Sequence, residues 1–178
     1  MEQVVLVDSK DNQIGLMDKL DAHKNGGRLH RAISIVLSRR KNGRVEVLVQ
    51  QRSKEKPLWP LFWSNSVCTH PRDQEGYFEC AVRRLHEELG IDMHPRDLQV
   101  LYRLEYQAPY NQLLSEHELD TVLVGEYTGD VTPQISEVAA VKWMVWDVLQ
   151  AEMKKNPSIY TPWFRMIAAN EKTQHFME

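Results

Sequence analysis

Apolar residues along this chain gather in short runs of strand length, interrupted by three stretches with helical spacing. Residues 3–8 read as a first strand that stops at the turn-forming pair Asp11-Asn12. Residues 29–37 read as a buried strand, Lys41-Asn42-Gly43-Arg44 as a hairpin turn, and Val45 to Gln51 as the return strand. Pro57, Pro60 and Pro71 cut the following stretch into loop and short extended pieces. Ala81, Val82, Leu85 and Leu89 recur at helical spacing over 77–89, and Gly90 supplies the stop. Strands follow at 98–107, 117–127 and 138–143, with helices at 146–154 and 162–173. Thr161 is placed to cap the last helix and Pro162 to open it. This order of strands and helices predicts an α/β (α+β) architecture, a mixed sheet covered by helices.

A chain of 178 residues is expected to form one domain, 1–178, large enough to bury a core. Its composition, 42% hydrophobic and 26% charged, is that of a globular protein, with no internal repeat or low-complexity tract. A net charge of -3 gives no reason to expect nucleic-acid binding, and no apolar run approaches membrane-spanning length. The first eight residues lack the basic start and apolar run of a signal peptide. With only two cysteines, a reducing, cytoplasmic setting is the expectation.

Chemistry concentrates around the first long helix. Glu75 precedes it, and Arg83-Arg84-Leu85-His86-Glu87-Glu88-Leu89-Gly90 closes it. Arg84 and Glu88 are four apart and share a face. A carboxylate with a loop carbonyl suits magnesium, which completes its shell with substrate phosphate, and Arg84 can then contact that phosphate. Arg52 and Lys56 follow the return strand and Lys19 precedes His23, so further cations are available to a diphosphate. Taken singly, each of these charges fits a solvated surface equally well.

A second constellation is dispersed. His23, His30 and His70 stand in three segments, and Glu116 and Glu118 in a fourth. Glu116 and Glu118 are two apart at a strand start and point to one face, where like charges repel unless a cation lies between them. Imidazole with carboxylate suits zinc or manganese. No compact spacing rule joins the five, and unrelated surface residues give the same pattern.

Taken together, these residues resemble the type I isopentenyl-diphosphate isomerases of the Nudix fold. The resemblance runs from Asp18-Lys19 and Ala22-His23 through Arg28-Leu29-His30, Gln51-Arg52, Lys56 and Trp59-Pro60. It continues with Trp63-Ser64-Asn65-Ser66-Val67-Cys68-Thr69-His70-Pro71 and the 83–90 helix end, then Tyr106, Glu116-His117-Glu118 and Thr161-Pro162-Trp163. It implies a Nudix-type mixed sheet sandwiched between helices, and one divalent metal (manganese, zinc or magnesium) on His23, His30, His70, Glu116 and Glu118. It implies a substrate-linked magnesium on Glu88, the Cys68 carbonyl and the diphosphate. Cys68 and Glu118 become the acid/base pair on opposite faces of the substrate, Tyr106 a helper beside Glu118, and Trp163 a wall of the hydrocarbon pocket. The implied activity interconverts isopentenyl and dimethylallyl diphosphate. The expected partner is thus a small allylic or homoallylic diphosphate, with no nucleic acid or membrane, and the chain is expected to act as a monomer.

Thr69 stands where the general Nudix box has Gly, and Arg84 where it has Glu; both favour the isomerase branch over hydrolases. Glu87 restores one acid that hydrolases use, so the alternative is a Nudix hydrolase of a diphosphate. A further rival is a non-catalytic binding module, which has no need of so complete a set of ligands. Beside magnesium and His70, the Cys68 thiol is expected to lose its proton more easily than a free cysteine. The bland reading of Cys68 is a buried structural thiol, and Cys80 is expected to be one.

Overall fold

The computed structural model describes residues 2–178. Its centre is β3 (His30–Lys41), which runs antiparallel to β4 (Arg44–Arg52) and to β6 (Val67–Thr69), and parallel to β8 (Ser115–Glu126). The β3–β4 hairpin turns at Asn42 and Gly43, both at positive φ, as a two-residue turn between twisted strands requires. β7 (Leu98–Pro109) pairs with β8, and β9 (Val138–Val145) and the short β5 (Trp63–Ser64) pair with β4. β1 (Gln3–Val7) joins β3 through Leu6 and is paired on its other side with β2 (Gln13–Asp18).

Side-chain alternation in β3 and β8 builds two cores. Ile33, Ile35, Leu37 and Leu123 face α2 (Tyr77–Leu89), which buries Cys80, Ala81, Leu85 and Leu89 against them. Val36, Val122 and Val124 face the other way. There α3 (Trp146–Lys155) and α4 (Pro162–Ala169) contribute Trp146, Leu149, Phe164 and Ile167. The sheet is therefore mixed and sandwiched between helices, as the pattern predicts. α2 ends at Gly90 in the left-handed conformation, its amide bonded to the His86 carbonyl.

Three features depart from the sequence reading. β2, and the four-residue α1 (Lys19–Ala22) after it, occupy a stretch the pattern left unassigned. β2 leaves Ile14 and Leu16 exposed, so it shows no clear two-residue alternation. The expected 162–173 helix is two helices: α4 stops at Asn170, whose side chain caps α5 (Glu171–Phe176) by accepting from the Lys172 amide. Thr161 does not cap α4 with its side chain, because its hydroxyl is held by Ser64. No helix among the described residues is long and apolar enough to cross a membrane.

Candidate active site

Both strands flanking β3 deliver chemistry to one cavity of about 310 Å³. Its walls include Lys19, His23, Arg52, Lys56, Cys68, His70, Tyr106, Glu116, Glu118 and Trp163. His30 and Glu118 sit opposite one another in the parallel β3–β8 register. Cys68 pairs with Ser34 on the β6 side. Strand pairing thus sets His30 beside Glu118, 88 positions away along the chain.

At one end the five dispersed residues meet. Single donor atoms of His23, His30, His70, Glu116 and Glu118 all lie within 4.8 Å of one another. Octahedral ligands at about 2.1 Å from a common centre would be about 3 Å apart when adjacent and about 4.2 Å when opposed, so the spread suits one ion. The rings are already oriented for it. His23 Nδ1 contacts the Lys19 carbonyl at 2.5 Å and His30 Nδ1 the Arg28 carbonyl at 2.7 Å. A proton on each Nδ1 leaves the Nε2 lone pairs for the centre. Protein groups alone do not satisfy the cluster. Glu116 Oε2 is 2.7 Å from His23 Nε2 without making a hydrogen bond, and His30 and His70 bring two ring nitrogens to 3.2 Å. Burial holds His70 at about 3, despite its bond to Glu118, so this imidazole is neutral and free to act as a ligand. The donor set fits a divalent metal of the imidazole–carboxylate class.

Glu118 faces both ways. Oε1 touches His70 at 2.9 Å, while Oε2 accepts a 2.5 Å hydrogen bond from the Tyr106 hydroxyl. Burial by itself would raise the Glu118 carboxyl, but His30 and His70 against it turn the shift strongly downward. Burial and the neighbouring carboxylates push the Tyr106 phenol well up, so it keeps its proton and donates a hydrogen bond to Glu118.

Cys68 has a different setting from the one expected. Its thiol donates to Asn65 Oδ1 at 2.9 Å and accepts from the Trp163 indole at 2.8 Å, with the Ser64 hydroxyl 3.4 Å away. Burial pushes the thiol up to about 12, with Ser64 and Arg52 opposing it and Asp120 reinforcing it. Among the protein groups burial outweighs the lowering by Ser64 and Arg52, the opposite direction from the acidification expected beside magnesium and His70. Trp163 is edge-on to Trp59, with ring centroids 5.3 Å apart, and lies near Tyr106, so aromatic faces line this part of the cavity.

The cations divide. Lys19, Arg52 and Lys56 line the cavity; Arg84 and Glu88 do not. Arg52 donates to the Leu58 and Trp59 carbonyls and stacks over Trp163, 5.3 Å from the ring centre. Lys56 pairs with Glu137, and Lys19 with Glu2. Arg84 is bound to Glu87, Glu88 and Glu137, and the buried Glu88 carboxylate is taken up by Arg84 at 2.5 Å and Gln50 at 3.3 Å. Glu75 stands apart from this group, held in a two-point pair with Arg83. Cys80 is fully buried, as expected.

Sequence reasoning passed over Ser34, Asp120 and Glu137. Asp120 is fully buried beside the cavity wall, one oxygen accepting from Ser34 at 2.7 Å and the other without a partner. Burial, followed by the charge of Glu118, raises its carboxyl well above the usual range. The signal was available: an acid two residues beyond Glu118, on the same strand face, inside an otherwise apolar run.

A family profile described as the NUDIX domain matches residues 28–164. A protein of Photorhabdus laumondii named isopentenyl-diphosphate Delta-isomerase 1 is 40% identical over 99% of this chain and 98% of its own length. The chain belongs to the isopentenyl-diphosphate Delta-isomerase family. A second member of that family, from Dinoroseobacter shibae, is 39% identical over 93% of this chain and 92% of its own length. Among solved structures, a protein of Deinococcus radiodurans superposes with a TM-score of 0.72 at 17% identity. It covers 94% of this chain and 97% of its own, a likeness of fold.

Proposed function

We propose that this chain isomerises isopentenyl diphosphate to dimethylallyl diphosphate in isoprenoid biosynthesis. The observation that carries the reading is the juxtaposition, in one cavity, of Cys68, the Tyr106–Glu118 pair and the aromatic wall of Trp163. Moving the double bond requires a proton to join the terminal methylene carbon and another to leave the carbon next to the oxygen-bearing one. An alkene is a poor base, so the path runs through a tertiary carbocation or a state close to it. Sγ–H of Cys68, on β6, and the Glu118 carboxylate, on β8 and bonded to Oη–H of Tyr106, give the cavity an acid and a base from strands on either side of β3. As the thiol delivers its proton to the alkene, the Glu118 carboxylate takes up the proton that leaves, with Tyr106 Oη as the relay, and the reverse reaction returns both. The indole face of Trp163 offsets the developing positive charge by roughly 1–2 kcal/mol once water is excluded.

His23, His30, His70, Glu116 and Glu118 would hold one divalent ion, manganese, zinc or magnesium. When bound, it supplies positive charge that offsets the buried carboxylates and fixes Glu118. Lys19, Arg52, Lys56 and Arg84 are proposed as diphosphate ligands, with Trp163 against the hydrocarbon. A substrate-linked magnesium on Glu88 and the Cys68 carbonyl requires Glu88 to be released from Arg84, so it is proposed only with diphosphate present. We take the chain to act as a single-domain monomer in the cytoplasm, without nucleic-acid or membrane partners.

Proton NMR of isopentenyl diphosphate with the purified protein and magnesium tests the reading, with phosphorus NMR read alongside. Dimethylallyl signals without free phosphate are expected. Phosphate release would favour the hydrolase alternative, and unchanged substrate in a metal-replete sample a binding module.

A further inference from the structure

Two cations proposed for the diphosphate converge on one oxygen. Glu137 Oε2 accepts from Lys56 Nζ and, at 3.1 Å, from Arg84 Nη2. Lys56 comes from the loop after β4 and Arg84 from α2, while Glu137 immediately precedes β9. The carboxylate is carried on a fixed backbone: the Glu137 amide donates to the Gln134 carbonyl at 2.9 Å, and its own carbonyl accepts from the Ser53 amide at 3.0 Å. That second bond ties Glu137 to the loop bearing Lys56.

Lys56 and Arg84 repel one another, and a lysine on a four-carbon stem turns to water unless something holds it. We propose that Glu137 is a positioning residue for diphosphate recognition: it holds Lys56 at the cavity wall and Arg84 behind it as one anion-binding pair. An ammonium has three donors and a guanidinium five, so Lys56 retains N–H groups after serving Glu137, and Arg84, which also serves Glu87 and Glu88, retains one. The proposal rests on Lys56 and Arg84 as diphosphate ligands. The opposite action, in which the Glu137 carboxylate competes with the substrate for the same cations, predicts a lowered KM on its removal. The two differ in sign.

The test measures kcat and KM for isopentenyl diphosphate with magnesium, and calorimetric affinity for inorganic diphosphate with magnesium, in Glu137→Ala and Glu137→Gln. In Glu137→Ala, KM and the dissociation constant of inorganic diphosphate are expected to rise about ten-fold, with kcat within about two-fold. Glu137→Gln retains an acceptor of the same length and is expected to show a smaller rise; it also serves if the alanine variant folds poorly. In a Lys56→Ala background, Glu137→Ala should add less than it does in wild type, because only its hold on Arg84 remains. Unchanged or lowered KM in both variants overturns the proposal, as does full additivity with Lys56→Ala. Wild type that fails to isomerise removes the functional reading itself, whereas Lys56→Ala that binds diphosphate like wild type removes Lys56 as a diphosphate ligand and with it this proposal. A Lys56 defect without a Glu137 defect removes only this proposal.

Discussion

Metal binding at the imidazole–carboxylate cluster should be visible as stability before any substrate is added. Glu116 and Glu118 are 6% and 8% exposed, project from alternate positions of one strand, and share their space with three imidazoles, one of them held neutral by burial. Without a cation that arrangement concentrates negative charge in a poorly solvated place. A divalent ion that binds the folded state alone, at a hundred times its dissociation constant, stabilises it by about 2.7 kcal/mol. For a chain of this size each kcal/mol moves the midpoint by about 2–4 °C. Calorimetry of chelator-stripped protein, with and without added manganese or zinc, should therefore show a rise of roughly 5–10 °C. Metal analysis of the loaded sample should give about one ion per chain at this site. Glu116→Gln separates metal binding from ordinary ion pairing. It removes one of two like charges, so the stripped variant should melt no lower than stripped wild type while losing most of the metal-induced rise. Coincident melting of stripped and loaded wild type would refute the reasoning. So would a Glu116→Gln variant that keeps the full rise.

Three further outcomes are expected. Cys68→Ala should lower turnover at least about 10³-fold while circular dichroism and melting remain close to wild type, since a small side chain is lost from the edge of a cavity; retained activity would remove Cys68 from the chemistry. Tyr106→Phe takes away the 2.5 Å donor to Glu118 Oε2 and should lower kcat roughly 10²-fold with a smaller change in KM, read by steady-state kinetics. Glu75 is opposed by burial but held at about 2 by its two-point pair with Arg83, below the ordinary carboxyl value. Its contribution is complete above the ordinary glutamate pKa and disappears as pH falls towards 2. Denaturant titration should show wild type ahead of Glu75→Gln by on the order of 1 kcal/mol at pH 6 and level with it near pH 2.

Local rules in the sequence determined much of this protein. Apolar runs of strand length, bounded by turn residues, identified the long strands β3, β4, β7 and β8. Asn42-Gly43 and Gly90 marked turn and helix end because few residues accept positive φ. The Asn65 to Pro71 stretch, the 83–90 helix end and the Glu116–Glu118 pair named the family, since so specific a set of polar residues is costly to place without chemistry. Spacing alone left the five ligands as unrelated residues. Only strand pairing, which sets His30 opposite Glu118 and Cys68 opposite Ser34, brings them to one cavity.

The tertiary structure also decided what the charges do. Sequence offered Arg84, Lys56 and Glu88 to the substrate, and the fold couples the first two to Glu137 and the third to Arg84. Sequence favoured an acidic Cys68 thiol beside magnesium, and burial among the protein groups acts in the other direction. Asp120 stood unnoticed in an apolar run until its burial set it beside Ser34. Backbone preference acts over a few neighbouring residues and can be read along the chain. Electrostatic state depends on what surrounds a group in three dimensions and on how much water remains, and those neighbours come from strands and helices far apart in sequence.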